Sequence, residues 1–240
     1  MRTEKLGGLT CRIAGGADRE GGGDGPVAVL LHGFGASGED LVGLWRELDV
    51  PKGTRFVFPA APLELDLGYG PPGSSRAWWL IDMERMQRAI MRGEMRDLTA
   101  EVPDGLPAAR DAAIALLDDV EEKLGADPAR LVLGGFSQGA MLSLDVALRT
   151  TRQLAGLVLL SGTLLAEHEW VPRLPTRTGL PVLQSHGVQD PLLPYVIAER
   201  LRDHMVAAGL RVEWVPFRGQ HEIPLFVRQK MGAFLHAALA

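Results

Sequence analysis

Short apolar runs alternate with longer amphipathic stretches along most of the 240-residue chain. The runs are rich in valine, leucine and phenylalanine, as buried strands are. They lie at Val27–Leu31, Arg55–Phe58, Leu131–Leu133, Leu154–Leu160, Pro181–Ser185 and Leu210–Phe217. Helical patterns occupy Asp104–Leu124, Gln138–Arg149, Tyr195–Ala208 and Ile223–Leu239. This alternation predicts an α/β fold with a mostly parallel central sheet and helices on both faces, and with antiparallel edge strands near Leu9–Ile13.

One stretch, Ile81–Val102, departs from this alternation. It contains Met83, Met86, Met91 and Met95, half of the eight methionines, among charged residues. Unbranched thioether side chains fill irregular apolar space, so the segment could form a Met-rich lid or cap insertion at about 81–103. The alternative is a surface helix that packs through its methionines.

The length and the net charge of the chain limit the number of domains and the classes of partner that we expect. The length and the 46% hydrophobic content suit one large domain over residues 1–240. A net charge of -5 without a basic stripe argues against a nucleic-acid partner. No apolar run approaches the roughly 18 residues of a membrane helix, and the first residues lack the apolar core of a signal peptide. We therefore expect no stable membrane insertion and a cytoplasmic location.

Cys11 is the single cysteine of the chain. It can form neither an intrachain disulfide nor a cysteine metal cluster. Because it lies in an early strand-like segment without a local activating partner, we expect a buried structural thiol.

The segment GGFSQGA, Gly134–Ala140, is the strongest chemical signal in the sequence. It contains G-x-S-x-G between a predicted strand and a predicted helix, the context of a strained turn that presents a serine nucleophile. The glycines would leave room for neighbouring backbone. Ser137 is therefore the candidate nucleophile, and the alternative is a glycine-rich turn whose serine caps the helix.

A serine nucleophile needs a base and an orienting carboxylate, which in this kind of fold follow it in the order acid, then histidine. Asp190 follows the predicted strand Pro181–Ser185, and His221 follows the last predicted strand. The rival acids Asp145 and Asp203 fall inside predicted helices. Among the rival histidines, His204 and His236 also fall inside helices, and His168 precedes the acid. Asp190 could instead initiate a turn, and His221 could be a solvated loop residue.

Acyl transfer also needs N–H donors for the carbonyl oxygen as it becomes anionic. The segment Leu31–Gly35, LHGFG, ends the first central strand. We expect the backbone N–H groups of Phe34 and Gln138 to form this oxyanion hole. His32 is predicted to be a hydrogen-bonding anchor of the loop, although the whole segment could be a plain glycine turn.

Apolar residues near these motifs are candidates for a substrate pocket, although buried aromatic residues are as often simply core. The candidates are Leu65, Trp78, Trp79, Met83, Met86, Leu164 and Trp170.

The motifs together resemble the phospholipase/carboxylesterase family of α/β-hydrolases, which includes acyl-protein thioesterases and bacterial carboxylesterases. The matching blocks are LHGFGASGEDL, FPAAP, RAWWLID, GGFSQGAMLSL, LSG, HGVQDPLLP and GQHEIP, and they span most of the chain in family order. The resemblance assigns the same residues as the order of the strands does: Ser137, Asp190 and His221 as the triad, with Phe34 and Gln138 as oxyanion donors. Because His221 is followed by Glu-Ile-Pro, the sequence resembles the bacterial branch.

The resemblance implies an enzyme that hydrolyses a small-molecule carboxylic ester through an acyl-enzyme, without cofactor or metal. We expect a carboxylesterase for short to medium acyl chains. One alternative is a thioesterase or lysophospholipase for longer chains, and another is a non-catalytic ligand sensor. A homodimer could form through exposed apolar faces.

Overall fold

A computed structural model describes residues 1–66, 68, 71, 73–94 and 97–240, with Ile90 described in its backbone only. Eight strands form one sheet. They are β1 (Arg2–Leu6), β2 (Leu9–Gly15), β3 (Val27–Leu31), β4 (Arg55–Pro59), β7 (Leu131–Phe136), β8 (Gly156–Leu160), β9 (Pro181–Gly187) and β10 (Arg211–Phe217). Two short strands, β5 (Leu63–Glu64) and β6 (Arg76–Ala77), pair with each other in a second sheet.

The order of strands in the large sheet is β1-β2-β4-β3-β7-β8-β9-β10. Strand β2 runs antiparallel to both β1 and β4, and the six strands from β4 to β10 in this order are parallel to one another. The predicted parallel sheet with an antiparallel edge is therefore confirmed. Because β3, β7, β8, β9 and β10 run in one direction, their carboxyl ends lie along one edge of the sheet.

Helices cover both faces of this sheet. The longer ones are α2 (Met83–Arg92), α3 (Leu106–Leu124), α4 (Gln138–Arg149), α6 (Tyr195–Ala207) and α7 (Leu225–Leu239), and α1 (Leu44–Glu47) and α5 (Glu167–Trp170) are single turns. Two 3-10 helices lie at Pro128–Arg130 and Val171–Arg177.

Alternate residues of the central strands point to opposite faces of the sheet. In β3, Val27, Val29 and Leu31 pack in one buried cluster with residues of α3, α4 and α6. Ala28 and Leu30 pack in the other cluster with residues of α1 and α7. This two-sided burial explains why the strand reads as a continuous apolar run in the sequence.

The predicted elements agree with the structure except near their ends. Strands β7 and β9 continue to Phe136 and Gly187, beyond the predicted ends at Leu133 and Ser185. Both extensions contain polar residues or glycine, which interrupt the apolar pattern without interrupting the ladder. The two-residue strands β5 and β6 are too short to show any periodicity, and the sequence did not predict them.

The Met-rich segment contains helix α2, which is compatible with both predicted alternatives, the cap and the surface helix. The Asp82 side chain accepts a hydrogen bond from the Arg85 N–H at 2.8 Å and caps the helix. Arg85 also forms an ion pair of 2.9 Å with Glu101, which ties α2 to the loop before α3. Met95 lies outside the described residues.

Across the part of the chain that the structure describes, no helix combines the length and the apolar character needed to cross a membrane. Cys11 is fully buried, as predicted.

Candidate active site

Ser137 occupies a strained turn between β7 and α4. Its backbone has φ 55° and ψ −116°, a conformation that residues with a side chain rarely adopt. Its N–H donates to the Leu160 carbonyl at 2.8 Å, and within the described structure its side chain makes no capping hydrogen bond to α4. The strain therefore does not serve a helix cap, and the turn has the form expected for a nucleophile elbow.

Gly135 and Gly139 allow α4 to approach β3 closely. A Cβ atom at Gly135 would lie 2.3 Å from the Leu31 carbonyl oxygen, and one at Gly139 would lie 2.1 Å from the same oxygen. Both distances are far below van der Waals contact, so neither position accepts a side chain without a backbone shift. The two glycines that flank the serine are thus explained by packing.

A hydrogen bond joins Asp190 and His221. His221 Nδ1 lies 2.7 Å from Asp190 Oδ2. Since an ionised carboxylate only accepts hydrogen bonds, Nδ1 carries the proton and Nε2 is the nitrogen that can receive another. The Asp190 side chain is fully buried, whereas 13% of the His221 side chain is exposed.

The surroundings of Asp190 favour its ionised form. Burial alone would raise the pKa of Asp190, but the hydrogen bond and charge of His221, together with backbone N–H donors, outweigh it. The N–H groups of Leu192 and Leu193 add to this by donating to Oδ1 at 2.9 and 3.0 Å. The net effect lowers the pKa of Asp190 below its ordinary value.

The loop of His221 is held against the end of β9. The Val188 N–H donates to the Phe217 carbonyl at 2.9 Å, and the Gln189 N–H donates to the Gly219 carbonyl at 3.0 Å. At Gly187, a Cβ atom would lie 2.1 Å from the Gln220 carbonyl oxygen. This close approach brings His221 to Asp190 although 31 residues separate them.

The N–H groups predicted for an oxyanion hole lie in the segments expected to provide them. Phe34 follows the end of β3, and Gln138 is the first residue of α4. Among the described residues, neither N–H has a hydrogen-bond partner. Both residues line the same cavity as Ser137. The N-terminus of α4 adds the positive end of its helix dipole there.

A buried hydrogen-bond network fixes the loop that contains Phe34. His32 Nε2 accepts from the Ala61 N–H at 2.9 Å, and His32 Nδ1 donates to the Gly33 carbonyl at 2.7 Å. These contacts define one neutral tautomer, and burial lowers the pKa of His32, which favours that neutral form. His32 is thus a hydrogen-bonded anchor of the loop, as predicted.

The side chain of Gln138 joins the same network. Its Oε1 accepts from the Trp78 N–H and its Nε2 donates to the Trp79 carbonyl, each at 2.9 Å. The indole N–H of Trp78 donates to the His32 carbonyl at 3.0 Å. The two tryptophans therefore connect the elbow to the loop of His32.

Ser137 and His221 line one cavity of about 940 Å³. This volume is near the upper end of the roughly 300–1,000 Å³ typical of small-molecule sites. The wall is mainly apolar, and its charged residues are Asp82, Arg85, Glu101 and Asp104. Of the residues predicted to bind substrate, Trp79, Met83 and Met86 line it.

The other four residues predicted to bind substrate lie elsewhere. Trp78, Leu164 and Trp170 are at most 1% exposed and belong to the core cluster. The Trp170 indole N–H donates a hydrogen bond to Asp145 Oδ1 at 2.8 Å. Leu65 follows β5, and its N–H donates to the Ser75 carbonyl at 2.8 Å. Proximity in sequence to a motif was a poor guide here, because alternate side chains point away from the cavity.

Several lining residues were not predicted from the sequence. They are Leu63, Leu80, Leu98, Val102, Phe136, Met141, Leu192 and Leu193. The Phe136 ring packs on His221 with 4.8 Å between ring centres. Phe136 and Met141 lie within four residues of Ser137, and this spacing was the one signal that could have identified them.

Comparison with known proteins decides the family. The model of a family described as Phospholipase/Carboxylesterase matches residues 24–239. The chain belongs to this family. The resemblance predicted from the motifs is confirmed, and the chain is a hydrolase of the esterase and thioesterase type.

Relatives include acyl-protein thioesterase 1 of Mycosarcoma maydis, which is 30% identical over 195 residues, 75% of this chain and 76% of the relative. The same enzyme of Gibberella zeae is 27% identical over 85% of this chain and 90% of its own length. Among solved structures, esterase PE8 superposes with a TM-score of 0.78 at 28% identity, covering 96% of this chain and 99% of that protein. A Bacillus cereus carboxylesterase at 19% identity gives a TM-score of 0.67, covers 96% of this chain and 94% of that one, and supports the fold. The fold is that of an α/β-hydrolase.

Proposed function

We propose that this family member hydrolyses carboxylic esters with short to medium apolar acyl chains, with Ser137 as nucleophile, His221 as base and Asp190 as the orienting acid. The observation that carries the proposal is the Asp190–His221 hydrogen bond of 2.7 Å, with His221 and Ser137 lining one apolar cavity. The strained backbone of Ser137 supports its role as nucleophile.

In the first half of the proposed cycle, His221 Nε2 takes the proton of Ser137 Oγ as this oxygen attacks the ester carbonyl carbon. The carbonyl oxygen becomes anionic and is stabilised by the N–H groups of Phe34 and Gln138. The intermediate then collapses, the bond to the leaving alcohol breaks, and His221 gives its proton to that alcohol. An acyl group remains on Ser137.

In the second half, water loses a proton to His221 and attacks the acyl carbon. Collapse of this intermediate releases the carboxylic acid and returns the proton to Ser137. Asp190 stays ionised throughout, holds the tautomer of His221 and stabilises its cation.

Acyl-thioester hydrolysis is the second candidate function. The relatives named acyl-protein thioesterase 1 favour it, at 27–30% identity over three quarters or more of this chain. The cavity volume of about 940 Å³ leaves room for acyl groups much longer than acetyl. A thioester carbonyl would react through the same residues.

The test is a matched series of esters and thioesters that carry the same acyl groups, from acetyl to palmitoyl, with wild type and Ser137→Ala. We expect kcat/KM for esters to peak between butyryl and decanoyl, and turnover to vanish in Ser137→Ala. A preference for palmitoyl thioesters would instead select the second candidate. Wild-type protein that turns over no member of the series would contradict both and favour the ligand sensor.

We also propose that residues 1–240 act as one domain and that α2 with its flanking loops serves as the cap of the cavity. A homodimer and a cytoplasmic location stay predictions.

A further inference from the structure

A second histidine, His186, contacts the acid of the proposed triad. It lies near the end of β9 and is fully buried. Its Nε2 lies 2.8 Å from the Leu193 carbonyl oxygen and 3.3 Å from Asp190 Oδ2. It does not line the cavity that contains Ser137.

The tautomer of His186 follows from these contacts. A carbonyl oxygen and a carboxylate only accept hydrogen bonds, so the nitrogen between them must carry a proton. In the neutral ring Nδ1 is then an acceptor, and within the described structure it is buried without a hydrogen-bond partner. Burial lowers the pKa of His186, although the Leu193 carbonyl and the charge of Asp190 oppose this effect.

A buried acceptor without a partner is destabilising, and an apolar side chain would avoid it. The benefit that offsets this cost must therefore come from the Nε2 side of the ring. There, the Nε2–H donates to the Leu193 carbonyl at 2.8 Å, and its positive end also lies beside Asp190 Oδ2, with 3.3 Å between the heavy atoms. Leu192 and Leu193 donate to Oδ1, while His221 and His186 contact Oδ2.

We propose that His186 is a positioning residue. It fixes the plane of the Asp190 carboxylate, and it makes this carboxylate attract the proton of His221 less strongly. This inference rests on the proposed function of Asp190 and His221. Without the N–H dipole of His186 at 3.3 Å from Oδ2, the carboxylate attracts that proton more strongly, and the imidazolium form of His221 becomes more stable. His221 would then be a poorer base at a given pH.

In the part of the chain that the structure describes, few other titratable groups lie near His186 and His221. Tyr195, at the start of α6, packs on His186 with ring centres 6.3 Å apart. Glu222 follows His221, and its side chain accepts from the Gln220 N–H at 3.1 Å. Asp82, Arg85, Glu101 and Asp104 line the same cavity as His221.

The experiment compares kcat and KM across pH for wild type, His186→Leu, His186→Gln and Tyr195→Phe, with an ester that the wild type hydrolyses. Leucine removes the donor, whereas glutamine keeps an N–H group near the Nε2 position. Tyr195→Phe is the matched control, because it alters a neighbour of His186 that does not contact Asp190. Titration with an organophosphonate gives the concentration of reactive Ser137, so rates are expressed per active site.

We expect His186→Leu to lower kcat about tenfold with little change in KM, as loss of a hydrogen bond behind a functional group does in metal sites. The acidic limb of its kcat/KM profile should move to higher pH. His186→Gln should recover most of kcat and the wild-type limb, and Tyr195→Phe should match wild type. If His186→Leu yields no folded protein, His186→Met provides the same comparison.

A donor-free variant with wild-type kcat per active site and an unmoved acidic limb would overturn the inference, as would equal losses in His186→Gln and His186→Leu. Failure of the proposed function is distinguishable. In that case wild type itself would show neither turnover nor labelling of Ser137.

Discussion

At the scale of single residues, the site depends on one strained position and the glycines beside it. Ser137 has a positive φ, which costs conformational energy that the surrounding packing must offset. Gly135 and Gly139 both face the Leu31 carbonyl oxygen, so the turn at Ser137 and helix α4 pack closely against the end of β3. The strain at Ser137 persists because these contacts leave its backbone no alternative.

Gly139→Ala tests this packing. The added Cβ would lie 2.1 Å from the Leu31 carbonyl oxygen, and backbone must shift to relieve the clash. We expect the free energy of unfolding to fall by about 2 kcal/mol or more in chemical denaturation. Gly43→Ala is the control, because Gly43 has φ −54° and its Cβ would approach no atom closer than 3.9 Å. Equal stability of Gly139→Ala and wild type would contradict the account.

Cys11 links stability to pH. Burial raises the pKa of the Cys11 thiol from 9.0 to about 12. Between these values the unfolded chain releases the thiol proton while the native state keeps it, so stability falls as pH rises. Below pH 9 this contribution is fully present.

We expect the free energy of unfolding of wild type to fall relative to Cys11→Ala by about 1.4 kcal/mol per pH unit above pH 9. Denaturant melts of both proteins at pH values up to about 11 measure this difference. A gap between the two proteins that stays constant with pH would show that the native thiol ionises as freely as the unfolded one.

At the scale of elements, the sequence predicted the framework well and the cavity wall poorly. The apolar runs and G-x-S-x-G identified β7 and α4, because buried parallel strands and a glycine-flanked turn leave strong local patterns. The wall depends on tertiary packing instead. Leu63 in the two-residue strand β5, and Leu80 and Val102 in irregular segments, are exposed apolar residues, and no periodicity marks their side as the cavity side.

Helix α2 offers a comparison within one element. Met86 lines the cavity, whereas Met91 is 80% exposed and lies on another side of the helix. We expect Met86→Ala to lower kcat/KM about fivefold for decanoyl esters, since truncation removes apolar contact with the distal acyl chain. Acetyl esters should be hydrolysed at the wild-type rate. Met91→Ala should match wild type on both esters, and a chain-length shift in Met91→Ala alone would place the acyl group elsewhere.

At the scale of the whole molecule, the proposed active site is assembled where parallel strands end. Phe34 follows β3, Ser137 follows β7, Asp190 follows β9 and His221 follows β10. Their common edge follows from the parallel order of the strands, which is why the sequence could assign all four residues. The role of His186 could not be predicted from the sequence, because it depends on a contact with Asp190 across a turn.

The central claim is that the Asp190–His221 pair activates Ser137. The most direct measurement is the rate at which a fluorophosphonate labels wild type, Ser137→Ala and His221→Ala, with the modified residue located by mass spectrometry. The account predicts one label per wild-type chain, on Ser137, no label in Ser137→Ala and labelling at least about a hundredfold slower in His221→Ala. Wild-type protein that stays unlabelled, or that is labelled equally fast without His221, would contradict it.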